Sequence, residues 1–388
     1  MPKKTSSSRR STDAPGTKAR TAKARTDKPR TEQPRTPAAR PPAARTPAAR
    51  PAAKAAGASR AGASVPALTL SRPDFLAVAA LSIDDVHNIL RTAAAIKAAR
   101  GANVADRLSG RAVAMIFEKA SLRTRMSFEV GIARMGGHPI FYDLGASGDR
   151  IGLRESVRDF ARNMERFVDM IIARVYSQAI LEEVADEARI PVINALSDDH
   201  HPCQGLADAL TITEKFGTIR GTRVCYIGDG NNVCVSLLES CCKLGGHVTI
   251  ICPEGYTPPA ELIARAQADA DLTGGSITVT ADARAVRGQQ VVYTDCWVSM
   301  HHAAPAGHAP DAGGGDPASR VAAFAAYQVN DELMDLADTR AIFMHCLPAH
   351  RGEEVTDSVI DGRQSAVYDQ AENRRWAQMA VMLGLLKA

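Results

Sequence analysis

Apolar positions along the chain change their spacing in a way that separates strands from helices. Phe75, Leu76, Leu81, Ile83, Val86, Ile89, Leu90 and Ile96 recur at helical intervals, which predicts two helices before the first strand. Residues 111–117 (RAVAMIF) then form a short, continuous, β-rich run, the pattern of a parallel strand buried on both faces. Met126, Val130, Ala133 and Met135 return to near-helical spacing. Strand-like runs follow at 139–142, 168–175 and 190–194, with a helix over 154–166 between the first two. A helix over 204–216 leads to a second series of strands at 222–227, 248–252, 290–294 and 340–344. Residues 371–386 read as a closing helix, placed to return to the first part of the chain. Strand alternating with helix in two series predicts an α/β fold of two parallel-sheet αβα domains, with ligands at the carboxyl ends of the strands.

The polar stretches between these elements carry the candidate chemistry. Residues 118–125 (EKASLRTR) lie between a strand and a helix, so the free N–H groups of the first helical turn point at whatever occupies the turn. Ser121 and Thr124 add hydroxyl donors, and Arg123 can grip two oxygens of one phosphate, which a lysine cannot. Four further clusters fall at strand ends or before helices: Arg174, the run from His201 to Gln204, the run from Asp295 to Met300, and the run from His345 to Pro348. Each alone has a plain structural explanation as a helix cap, a turn residue or a core thiol. The turn Gly228-Asp229-Gly230-Asn231-Asn232-Val233 imitates a dinucleotide fingerprint but lacks its third glycine.

Charge divides the chain of 388 residues. Its net charge of +4 conceals a segment, residues 1–63, with 16 Lys and Arg against 3 Asp and Glu, which leaves the remainder acidic. Residues 1–64 contain no Leu, Ile, Val, Phe, Tyr or Trp and are expected to be a disordered basic tail with weak affinity for polyanions. The acidic remainder excludes a general nucleic-acid binder. Eight cysteines in the C-terminal half, with no Cys-x-x-Cys pair, read as reduced buried thiols. No stretch approaches eighteen consecutive apolar residues and no apolar core follows the basic N-terminus, so the expected location is the cytoplasm, away from any membrane.

Taken together, these motifs resemble those of the aspartate/ornithine carbamoyltransferase family over residues 66–388. Ser121-Leu122-Arg123-Thr124-Arg125 matches the family's Ser-Thr-Arg-Thr-Arg, and His201-Pro202-Cys203-Gln204 its His-Pro-x-Gln. The ornithine branch is indicated by residues 228–232, by Asp295 with Ser299-Met300, by His345-Cys346-Leu347-Pro348 and by Ala371-Glu372-Asn373-Arg374. The resemblance implies a carbamoyl-phosphate domain over 65–215 completed by a C-terminal helix over 369–388, an ornithine domain over 216–368, and a homotrimer or a multiple of one. It implies that Ser121, Leu122, Arg123, Thr124, Arg150, Arg174, His201, Gln204, Cys346, Leu347 and Arg374 bind carbamoyl phosphate. It places Asn232, Asp295, Ser299 and Met300 on L-ornithine, gives catalysis to Arg123, His201 and Cys346, and calls for no metal or organic cofactor.

Departures from the family pattern are Leu122 for a small hydroxyl residue, Arg150 where relatives carry Gln or His, His301 for Gly, and an Ala/Gly/Pro-rich insert over 303–319. The implied reaction makes citrulline and phosphate. Its rivals are a carbamoyltransferase for putrescine or an acylated ornithine, and a weakly catalytic relative whose tail makes it a polyanion-binding scaffold. Citrulline assays with each amine separate them.

Overall fold

A computed structural model describes residues 65, 68–298 and 317–386. The basic tail, Ser299, Met300, His301 and most of the 303–319 insert lie outside these described residues.

The first series runs α1 (Ile83–Ala98), β1 (Ala112–Phe117), α2 (Leu122–Arg134), β2 (His138–Asp143), α3 (Val157–Met164), β3 (Met170–Arg174), α4 (Gln178–Glu187), β4 (Val192–Leu196) and α5 (Pro202–Phe216). The second runs β5 (Arg223–Ile227), α6 (Asn232–Lys243), β6 (His247–Ile251), α7 (Ala260–Thr273), β7 (Ser276–Thr280), β8 (Val291–Thr294), α8 (Pro317–Phe324), α9 (Asp331–Leu336), β9 (Ile342–His345), α10 (Asp357–Ile360) and α11 (Val367–Leu385). The strands form two sheets, ordered β2-β1-β3-β4 and β7-β6-β5-β8-β9, and all of their pairings are parallel. The fold is α/β with two parallel-sheet αβα units.

The central strands are buried on both faces, which is why they read as continuous apolar runs. Val113, Met115 and Phe117 of β1 face a core that includes α1, α5 and α11, while Ala114 and Ile116 face α3 and α4. The first of these cores continues through α5 and α6 to Tyr226 and Val224 of β5. α11 packs against α1, α2 and α5.

The structure corrects several expectations. Before β1 there is one α-helix, flanked by short 3-10 turns at Val78–Ala80 and Ala102–Val104, instead of two helices. Ser82 starts that helix with a reciprocal cap, taking the Asp85 N–H while Asp85 takes its own. α3 is shorter than 154–166 because Ser156 accepts from Asp159 N at 3.0 Å and fixes the start. α6 is buried all round, its polar Ser236, Glu239 and Lys243 included. β7 is an edge strand of five mostly exposed residues, too polar to announce itself. No described helix is long and apolar enough to cross a membrane.

α5 and α6 approach closely at Gly205, where an added Cβ would lie 2.4 Å from Ser236 O. Gly205→Ala is therefore expected to cost about 1–3 kcal/mol of overpacking. A melting temperature several degrees lower checks this, and an unchanged one would contradict the contact.

Candidate active site

The two sheets deliver their functional groups at strand carboxyl ends, as open parallel sheets do. Phe117 ends β1 in register with Arg174, which ends β3, so the turn after β1 opens beside the Arg174 side chain. Ser121 caps α2 by accepting from Thr124 N at 3.3 Å, and its hydroxyl also donates to Thr124 Oγ1 at 3.0 Å. In the second sheet Thr294 of β8 is in register with His345 of β9, so Asp295 and Cys346 emerge side by side one residue later. Cys346 Sγ donates to Asp295 Oδ1 at 3.0 Å, and Asn231 Nδ2 donates to Asp295 Oδ2 at 2.9 Å. Asn231 is the N-cap of α6, and Gly230 before it is forced by Pro258, whose N would lie 2.3 Å from an added Cβ. That close approach explains the glycine in this turn without a dinucleotide.

These ends surround one cavity of about 110 Å³. Of the residues singled out in the sequence, Ser121, Arg123, Thr124, Arg174, His201, Asn232, Asp295, Cys346, Leu347 and Arg374 line it. Gln204 lies beneath, buried in the first turn of α5. Leu122 is 73% exposed and directed outward. Arg150 stacks over the Tyr176 ring, 4.1 Å from its centroid, and lines a neighbouring cavity. Ser299 and Met300 are outside the described residues. Leu196, Val233 and His350 also line the main cavity and were not anticipated. Val233 and Leu196 are apolar residues beside polar motifs, and only their place at an element end could have flagged them.

The electrostatics are unusual in one respect. Arg123, Arg174 and Arg374 face the cavity together, and Arg374 Nη2 donates to Thr124 Oγ1 at 3.0 Å. Nε of Arg174 and Nε of Arg374 are buried with no hydrogen-bond partner among the described residues. Burial, and then the neighbouring Arg374, push the Arg174 guanidinium well below its usual range. Burial and the adjacent Asp295 raise the Cys346 thiol far above its usual range. Cys346 is thus a neutral hydrogen-bond donor and not a thiolate nucleophile.

The loop bearing Cys346 is fixed from below. His345 N donates to Gln370 Oε1 at 2.9 Å, and His345 Nδ1 accepts from Leu347 N at 2.8 Å. Its proton therefore sits on Nε2, facing Glu354 Oε1 at 3.2 Å. This holds Leu347 at a φ of 59°, a left-handed conformation rarely taken by branched residues. On the other side, Arg320 of α8 donates to Trp297 O at 2.6 Å and pairs with Asp229, tying the loop after β8 to the turn after β5. Potential metal ligands Asp295, His345 and Cys346 converge within 4.8 Å, but both nitrogens of His345 are already engaged.

With this geometry in view, comparison with known proteins gives a consistent result. The carbamoyl-P binding domain profile of the aspartate/ornithine carbamoyltransferases matches residues 73–214, and their Asp/Orn binding domain profile matches residues 220–385. The chain belongs to the aspartate/ornithine carbamoyltransferase family. Within it, the chain is 48% identical over 316 residues to an ornithine carbamoyltransferase of Symbiobacterium thermophilum, covering 81% of this chain and 98% of that one. It is 44% identical over 317 residues to an enzyme of Pyrococcus furiosus named as an anabolic ornithine carbamoyltransferase, covering 81% and 96%. The solved ornithine carbamoyltransferase from Pyrococcus furiosus superposes with a TM-score of 0.73 at 44% identity, covering 80% of this chain and 95% of that one.

Three clustered guanidiniums without an ion-pair partner among the described residues repel one another and favour a bound anion. Arg374→Met should melt at or above the wild-type temperature without added anion, and it should lose most of the rise that inorganic phosphate gives the wild type. A full phosphate response in the variant would contradict this reading of the cluster.

Proposed function

We propose that this chain transfers the carbamoyl group of carbamoyl phosphate to the δ-amine of L-ornithine, giving L-citrulline and phosphate. The observation that carries the reading is the polarity of the cavity: three guanidiniums and a helix N-terminus at one end, the Asp295 carboxylate with Asn231 and Asn232 at the other. The first end suits a phosphate and the second an amino acid's α-ammonium, with the reacting carbon between them.

Each group then has a role. Ser121, Arg123, Thr124, Arg174 and Arg374 hold the phosphate of carbamoyl phosphate, and their fixed charges stabilise it further as it leaves as an anion. His201, at the start of α5, faces the carbamoyl oxygen, where negative charge grows as the carbon becomes tetrahedral. The neutral δ-amine attacks that carbon, the carbon–oxygen bond to phosphate breaks, and the departing phosphate can take the amine's proton. Cys346, held on Asp295, sits beside the amine and orients it without covalent chemistry. The family resemblance assigns Ser299 and Met300 to ornithine binding. No metal or organic cofactor enters, because carbamoyl phosphate is already activated. Citrulline formation fits an arginine-synthesising role.

Exposed apolar side chains support an assembly. Leu122, Met126, Ile140, Tyr142 and Leu153 are large apolar side chains left exposed, with Ile140 and Tyr142 on the edge strand β2. Copies of the chain cover this face in a homotrimer, which brings Arg150 to the rim of a neighbouring site.

Arg123→Lys should lower turnover about a hundredfold, since a lost transition-state donor costs roughly 3 kcal/mol, while leaving the melting temperature unchanged. Citrulline measured with ornithine, putrescine and an acylated ornithine tests the acceptor. Equal turnover of putrescine would leave Asp295 without an α-ammonium to recognise and overturn the assignment.

A further inference from the structure

Beneath the cavity, α5 carries a carboxylate that none of the roles above uses. Asp208 lies one turn beyond Gln204 and is fully buried. Its Oδ1 accepts two amide N–H groups, from Gln204 Nε2 at 2.8 Å and from Gln370 Nε2 of α11 at 2.7 Å. The Gln370 amide cannot turn over, because its Oε1 takes the His345 N–H at 2.9 Å. Its nitrogen must face Asp208, and that keeps Oδ1 the acceptor for both glutamines.

The consequence falls on Gln204. With its amide nitrogen bound to Asp208, its Oε1 must point the other way, and there it is buried with no hydrogen-bond partner among the described residues. A buried acceptor left without a donor costs about 1–3 kcal/mol, a cost removed when an N–H donor arrives. His201, one helical turn earlier, lines the cavity where the carbamoyl group lies. A carbamoyl group carries an NH2, and its hydrogens are the donors that Oε1 lacks.

We propose that Asp208 is a positioning residue that fixes Gln204 with its oxygen toward the substrate, where it accepts from the carbamoyl NH2. The inference rests on carbamoyl phosphate being the substrate. Asp208 touches no substrate itself. Through Gln370 the same carboxylate is joined to the backbone that presents Cys346, so one buried oxygen aligns groups from both sheets.

The test compares two ligands that share the phosphate end and differ only in the carbamoyl group: carbamoyl phosphate, read by its KM, and inorganic phosphate, read by its competitive inhibition constant. Asp208→Leu fills the same space without an acceptor and should weaken carbamoyl phosphate about tenfold, or roughly 1.4 kcal/mol, with phosphate changed less than about twofold. Asp208→Asn should restore affinity, because the two N–H donors hold its amide oxygen where Oδ1 stood. Gln204→Leu should show the same selective loss, and the double variant Asp208→Leu with Gln204→Leu should be no worse than Gln204→Leu alone. Should Asp208→Leu not fold, Asp208→Ala takes its place under the same expectation. Equal weakening of both ligands, additive losses in the double variant, or an unaffected carbamoyl phosphate KM would each overturn the proposal. A wild-type protein that makes no citrulline would overturn this inference and the proposed function together, whereas an active wild type with unselective variants overturns this inference alone.

Discussion

Everything in this structure is arranged around positive charge held in a place where it is costly. Arg174 and Arg374 are nearly or fully buried, face the same cavity as Arg123, and form no ion pair among the described residues. A fold tolerates such a cluster only if the surrounding structure imposes it. Here the imposition is visible. Parallel pairing sets Arg174 level with the end of β1, and burial of α11 against α1, α2 and α5 brings Arg374 onto the Thr124 hydroxyl. The desolvation that penalises these charges is also what makes them effective toward an anion, because little water remains to screen them.

The amino-acid end is built differently, on a network of mutually engaged polar groups. Asp295 accepts from Asn231 and Cys346, and His345 uses its backbone N–H and both ring nitrogens. Such a network holds a single arrangement, and its members report one another's orientation: the Leu347 N–H sets the His345 tautomer, and the His345 N–H sets the Gln370 amide. The two ends of the cavity thus differ in kind, one with buried guanidinium nitrogens unpaired among the described residues, the other held by a hydrogen-bond network.

The sequence made this division partly legible. The turn after β1 could be read from strand and helix periodicity with Ser, Arg and Thr at its centre, and most of the motif residues converge on one cavity. Elements that escaped reading did so for physical reasons. α6 is buried on every side, its polar Ser236, Glu239 and Lys243 included, so its pattern does not separate a wet face from a dry one; β7 is a short edge strand; and the stretch before β1 packs its first apolar group around a 3-10 turn instead of a helix. Gln204 was legible as a motif residue, but the carboxylate that aims it was not, since Asp208 looks like any polar residue on a helix until α11 is seen to close over it. Arg150 illustrates the converse: its position in the motif order places it near substrate, while within one chain it stacks on Tyr176 beside a second cavity.

The central claim is that the guanidinium cluster binds phosphate as a preorganised, poorly screened positive site. Phosphorus NMR of inorganic phosphate bound to the wild-type protein, followed through a pH titration, measures this directly. The account predicts that the bound ion keeps its dianionic form to lower pH than the free ion, with its second pKa shifted down by about one unit or more. A bound phosphate that titrates like the free ion, or at higher pH, would contradict it.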